Sequence, residues 1–223
     1  MPKKELTLFE QDKLKEAIKY DLTPIAISHP LTHQKVTAYK VEKNFNQNIL
    51  KEIYKRRCRK KHPDNVTIEK YYQGGMAELA FLMALNYPLD IYIKHFNDSL
   101  HEDGKGGGDN GTDFICNNAI IDVKCSSLDN RNNFSFSYYY ASMKRQSDYF
   151  VFVRYEHKSI IEENLTIRTA PIYTLLGYAT YEDVKAIWEP KQKAYGERFL
   201  VADADLLYKN DKLLTDFNML KPI

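Results

Sequence analysis

The sequence predicts an α/β protein: one sizeable core preceded by a helical region. Three observations carry that expectation. A long helical pattern over residues 67–87 turns apolar nearly all round in its second half. Strand-like runs follow near 90–96, 111–126 and 148–155. A further strand-then-helix pattern begins near 166. Helix, three strands, helix, strand is the layer order of helices on a sheet. At 223 residues the chain exceeds the usual domain size, roughly 150, by about half, which allows one core and an appendage.

Taken in order, "TLFEQDKLKEAIKY" places Leu8, Phe9, Leu14 and Ile18 near helical spacing, and "SHPLTHQ" interrupts it. A second helix is expected over "QNILKEIYKRRCRKK", with Ile49, Leu50, Ile53 and Tyr54 on one side, a strongly basic end and a stop at "HPDN". Residues 1–66 therefore read as a mostly helical N-terminal region and 67–223 as the main domain. There "TIEKYYQGGMAELAFLMALNY" is a helix to be buried, its apolar half broken only by Glu78. "DIYIKHF" reads as a short strand, and "NDSLHEDGKGGGDNG" is too hydrophilic and glycine-rich for core and reads as a mobile loop. "GTDFICNNAIIDVKCS" reads as two strands turning on Asn117-Asn118. Tyr138, Tyr139 and Tyr140 suggest a surface helix or loop, and "DYFVFVRY" is a strand apolar on both faces. One or two more strands and a helix from about Tyr181 complete the order.

The formal net charge of +2 is nearly neutral, so affinity for nucleic acid has to come from local basic clusters. Cys58, Cys116 and Cys125 form no CxxC pair, and there is neither a signal-peptide pattern nor an apolar run of about eighteen residues. The expectation is a cytoplasmic protein with no membrane association.

The hairpin poses a question of charge. A two-residue turn pairs Cys116 with Ala119, Ile115 with Ile120, Phe114 with Ile121 and, next, Asp113 with Asp122. Two carboxylates directly opposite one another destabilise a sheet unless something offsets them. A divalent cation between their oxygens does so. Lys124 falls on the face of Asp122, and Gly111, opposite it, leaves space. Two acids, an ammonium and an open position suit a phosphate ester. The plainer reading, a solvated strand face, sits poorly with apolar neighbours on both faces.

Together, Glu78 on its helix, the glycine loop, Asp113 and the Asp122-Val123-Lys124 triplet resemble the PD-(D/E)XK nuclease superfamily, whose fold is restriction-endonuclease-like. The likeness spans about residues 68–155, and Thr112 stands where the motif has proline. It implies a mixed central sheet flanked by helices and a Mg²⁺-dependent DNA endonuclease of restriction or phage type, with Mn²⁺ as a substitute. Catalytic roles would fall to Glu78, Asp113, Asp122 and Lys124, and metal ligation to Glu78, Asp113, Asp122 and Val123. Lys144 and Gln146 stand where such nucleases keep polar residues near DNA or the attacking water. Arg56, Arg57 and Lys60 would contact phosphates without reading sequence. Cutting both strands implies a homodimer.

Two alternatives stand beside this. "ILKEIYKRRCRKKHPDN" resembles helix two and the His-Pro-Asp loop of J-domain co-chaperones, at His62, Pro63 and Asp64. In that reading Gly74-Gly75 is expected to interrupt the following helix. The other alternative is a DNA-binding protein of the nuclease fold that does not cleave. "HEDGKGGG" lacks the spacing and the serine or threonine of a P-loop.

Overall fold

The structure, a computed structural model, describes residues 5–16, 22–28, 35–41, 47–55, 65–85, 88, 90, 93–94, 113–116, 119–127, 136–139, 147–156, 159–162, 165–168, 171–182 and 198–201. Helices α1 (Leu8–Glu16), α2 (Gln47–Lys55) and α3 (Asn65–Ala84) accompany strands β1 (Leu22–Ser28), β2 (Lys35–Val41), β3 (Phe114–Cys116), β4 (Ala119–Ser127), β5 (Phe136–Tyr139), β6 (Tyr149–Glu156), β7 (Ser159–Glu162), β8 (Leu165–Arg168), β9 (Ile172–Thr180) and β10 (Arg198–Val201). Six strands form one sheet in the order β1-β2-β9-β6-β4-β3. It is a mixed sheet: β4 and β6 run parallel and the other neighbours antiparallel. β5 pairs with β10 and β7 with β8 in separate ladders. The α/β class expected from the sequence is therefore present.

The core lies between α3 and one face of this sheet. Period-two alternation turns Ile121, Val123, Val151, Val153, Tyr173 and Leu175 to that face, the register shift in β9 brings Tyr178 to it as well, and they cluster with Tyr72, Met76, Ala77, Ala80 and Phe81 of the helix. The other face of β6 is no less covered, since Phe150 and Phe152 are as fully buried as Val151 and Val153. A strand apolar on both sides belongs at the centre of a sheet, and β6 sits there, between β4 and β9. α2 lies against α3, where Lys51 pairs with Glu69 at 2.7 Å and stands 5.5 Å from the Tyr72 ring centroid.

Several expectations change. Residues 22–28 and 35–41, placed in a helical region 1–66, are strands, and β2 joins the main sheet through Ala38↔Thr174, Tyr39↔Tyr173 and Lys40↔Ile172. The alternation in "KVTAYKV", which sends Tyr39 and Val41 to the core, is the period-two signal that the helical reading passed over. In α1 Leu14 of the proposed stripe is buried, Ile18 lies outside the described residues, and Leu8 and Phe9 are exposed. At about 100° per residue they lie more than 100° around the helix from Leu14. The start of α1 is set by a capping box: the Thr7 N–H donates to Glu10 Oε2 (2.8 Å) and the Glu10 N–H to Thr7 Oγ1 (3.3 Å).

Within "DIYIKHF", Asp90, Ile93 and Lys94 are helical, not extended. Tyr138 and Tyr139 belong to β5 instead of a surface helix or loop. α3 runs unbroken through Gly74 and Gly75, because neighbouring apolar residues anchor it on the sheet and outweigh two weak helix formers. The basic run 56–61, the His-Pro-Asp tripeptide, the glycine-rich loop and Tyr140 lie outside the described residues. Among those described, no helix is long and apolar enough to cross a membrane.

Two glycines give opposite predictions. Gly177 has φ of 152° at the β6–β9 register shift between Phe152 and Val153, a conformation that L side chains rarely adopt. Gly177→Ala should destabilise the protein by about 1–3 kcal/mol. A Cβ at Gly74 meets nothing within 4 Å, so Gly74→Ala should stabilise it by about 0.5–1 kcal/mol. Urea titration of both variants measures the two signs.

Candidate active site

The hairpin register is the one the Asn117-Asn118 turn predicts: Cys116↔Ala119, Ile115↔Ile120 and Phe114↔Ile121. The ladder ends there, one pair short of Asp113 and Asp122. The Asp113 N–H donates to the Ile121 carbonyl at 2.9 Å, and the Asp113 side chain turns onto the next free rung, where Oδ2 accepts the Val123 N–H at 2.6 Å. This corrects the expected face-to-face carboxylates. With β3 not yet begun, Val123 has no strand partner on that side among the described residues, and a carboxylate supplies a charge-assisted acceptor. Asp113 is only 4% exposed, so the bond is made away from water.

The backbone of β4 alternates its hydrogen-bonding edge. Ile120 faces β6, its carbonyl accepting from the Asp148 N–H at 2.8 Å, whereas Ile121 and Val123 face the β3 side. The N–H and C=O of one extended residue share an edge, so the Val123 carbonyl is directed to the side where Asp113 lies.

The side chains alternate too. Ile121, Val123 and Cys125 join the core cluster under α3, which turns Asp122 and Lys124 to the opposite face. Asp122 is 3% exposed, and its Oδ2 lies 2.5 Å from Lys124 Nζ, on a side chain 24% exposed. Each acid thus has its own compensation: a backbone N–H for Asp113 and an ammonium for Asp122.

Glu78 reaches β4 from the helix side. It is 6% exposed, and Phe81, nearly one turn further along α3, meets Phe114 with ring centroids 5.8 Å apart. That contact holds the helix beside the residue following Asp113. Desolvation, then the charge of Glu78, pushes the half-buried Cys125 thiol up to about 12. The hairpin end therefore gathers Asp113, Val123, Asp122 and Lys124, while Glu78 stands nearest the Cys125 face. Among the described residues, no group of three or more His, Cys, Asp and Glu side chains is drawn together closely enough to hold a metal ion. The donors are all oxygen, the kind a hard divalent cation takes, with Asp113 beside the Val123 carbonyl and Asp122 and Glu78 on opposite faces of β4.

Lys144, Gln146, Arg56, Arg57 and Lys60 lie outside the described residues. One positioning residue was missed. Asp148 clamps the parallel pair at its start, since its Oδ2 accepts the Ile120 N–H (2.7 Å) and its carbonyl accepts the Tyr181 N–H (3.0 Å). An aspartate immediately before an apolar strand was the available signal.

This geometry defines a hairpin-end carboxylate–lysine site in an α/β protein. No family model, curated protein or solved structure matches the chain.

Three substitutions test the site. Asp113→Ala strips the Val123 N–H of its acceptor and should cost about 1.5–3 kcal/mol. Lys124→Met leaves the Asp122 carboxylate without its cation; the loss should fall near 2 kcal/mol, below the ~3–5 of fully buried pairs because the lysine is partly solvated. Denaturant midpoints give both values. Native Cys125 should resist iodoacetamide at pH 8, and Glu78→Gln should leave it resistant because desolvation is the larger cause. Mass spectrometry of native and urea-unfolded samples reads out that protection.

Proposed function

We propose that this protein is a Mg²⁺-dependent endonuclease that hydrolyses phosphodiester bonds in DNA, of restriction-endonuclease-like fold. The observation that carries the reading is the hairpin end, where Asp113 turns onto the Val123 backbone and Asp122 and Lys124 share the adjoining face. Asp113, Asp122 and the Val123 carbonyl would hold the ion, with Glu78 contributing from the helix side. A divalent ion there supplies Lewis-acid polarisation of a phosphate oxygen, and Mn²⁺ would serve as well.

The protein's own groups act around that charge. The Val123 N–H fixes the direction of the Asp113 carboxylate. The Lys124 ammonium, partly exposed and paired with Asp122 Oδ2, would donate to a phosphate oxygen or orient the attacking water. Phe150 and Phe152, buried on the face of Asp122 and Lys124, keep local water scarce, which strengthens these interactions. Arg56, Arg57, Lys60, Lys144 and Gln146 would contact DNA, and two copies of the chain would cut the two strands.

The co-chaperone alternative gains the unbroken α3, yet the apolar side of that helix is committed to the sheet. A non-cleaving DNA-binding protein gives no role to Lys124 beside Asp122.

The protein should nick or linearise supercoiled plasmid with Mg²⁺ and be inert in EDTA. Lys124→Ala should abolish cleavage while leaving duplex affinity in Ca²⁺ within a few fold, since one ammonium is a small share of a multi-phosphate interface. Equal loss of binding and cleavage would remove Lys124 from the chemistry. Neutralising Arg56, Arg57 and Lys60 together should weaken binding to all sequences alike and flatten the salt dependence by up to roughly three units.

A further inference from the structure

The main sheet ends in β1 on one side and β3 on the other, and an open edge strand is a template on which another chain can pair. β3 is three residues long, and beyond it the Val123 N–H is taken by Asp113. β1 is different. Its seven residues, "LTPIAIS", carry no charge, and Thr23, Pro24 and Ala26 are exposed along it. Lysine, a frequent guard of such edges, is missing from it, and an uncharged strand with Ile25 and Ile27 is the kind that pairs with its own copy.

One bond fixes the direction of each backbone group. The Val41 N–H donates to the Pro171 carbonyl at 2.8 Å, on the β9 side of β2. The N–H and C=O of an extended residue share an edge and alternate along the strand, so Val41 and Tyr39 face β9 while Lys40 and Ala38 face β1. The β1–β2 register pairs Lys40 with Thr23 and Ala38 with Ile25, which leaves Leu22, Pro24 and Ala26 directed outward. Pro24, the middle one of the three, has no N–H to offer. A proline at Thr23 or Ile25 would cost the β1–β2 ladder a bond; at position 24 its missing donor is felt only by an incoming strand.

We propose that Pro24 guards the β1 edge against pairing with a second copy of this chain. Two copies of one edge meet antiparallel about a two-fold axis, so the strand excluded is the β1 of the other copy. Pro24 removes a donor near the middle of that ladder, and its ring fills the space an incoming carbonyl would take. The inference does not depend on the endonuclease reading, and it places any homodimer contact on another surface.

Sedimentation of the full chain over a concentration series tests this. Pro24→Thr restores the N–H with a residue suited to strands and adds no charge. Its weight-average mass should rise with concentration toward about twice the wild-type value, since a two-fold pairing of edges closes at two copies. Adding Ala26→Pro moves the missing donor to the next outward position and should return the mass to that of the wild type. Losing one proline should lower the melting temperature by only about 1–4 °C, and melting curves confirm that each variant is folded at the assay temperature. Pro24→Ala, which also restores the N–H, gives a second reading should the threonine variant fail to fold. A wild-type mass at every concentration in a folded Pro24 variant overturns the inference, as does association that persists with Ala26→Pro.

Discussion

The bond from the Val123 N–H to Asp113 Oδ2, at 2.6 Å, governs the arrangement of the site. A sheet strand that outlasts its neighbour leaves backbone donors facing nothing, and in a nearly buried position each such donor costs about 1–3 kcal/mol. β4 outlasts β3 in this way, since the ladder ends at Phe114↔Ile121 while β4 continues to Ser127. A carboxylate serves there as a substitute rung. It ends β3, draws Asp113 onto the backbone between Asp122 and Lys124, and keeps an acid at the sheet edge facing the Val123 carbonyl.

That edge is held in place by the packing behind it. The middle of β6, Phe150 to Val153, is fully buried on both faces, so β4, its parallel neighbour, has little freedom to slide. Asp148 locks the start of the pair with both its backbone and its side chain bonded to Ile120. α3 presses on the opposite side, and Phe81 against Phe114 ties the helix to the short strand that Asp113 precedes. Charges can sit less than 7% exposed in such surroundings only with local compensation, which Asp113 and Asp122 obtain in different ways.

Much of this was legible in the sequence because the signals were local. Asn117-Asn118 set the hairpin register, the unbroken apolar run "YFVFV" marked the central strand, and Glu78 stood out as the lone acid in an apolar helical stretch. What was not legible depended on partners far along the chain. β1 and β2 are strands because β9 offers β2 an edge some 130 residues away, information that no window of "LTPIAIS" or "KVTAYKV" contains. Asp113 turns onto Val123 because β3 stops, and the place where it stops is settled by tertiary contacts.

The pairing of Lys124 with Asp122 changes the electrostatic account of the site. Opposed carboxylates would have left the protein without metal under strain, with an ion needed to relieve it. Asp122 instead carries a resident cation 2.5 Å away, supplied by its own strand, and Asp113 is held by a backbone donor. Asp122 and Asp113 are therefore each compensated without any ion. In the proposed function, Asp122 would be shared between a divalent ion and the Lys124 ammonium, and the ammonium would need another anion. A phosphate on the same face is that anion, so the ion and the nucleic acid should bind cooperatively: each removes the charge that the other would leave unpaired. A lysine two residues from its acid is short enough in reach to serve either partner, which gives the Asp-x-Lys spacing a physical reason of its own.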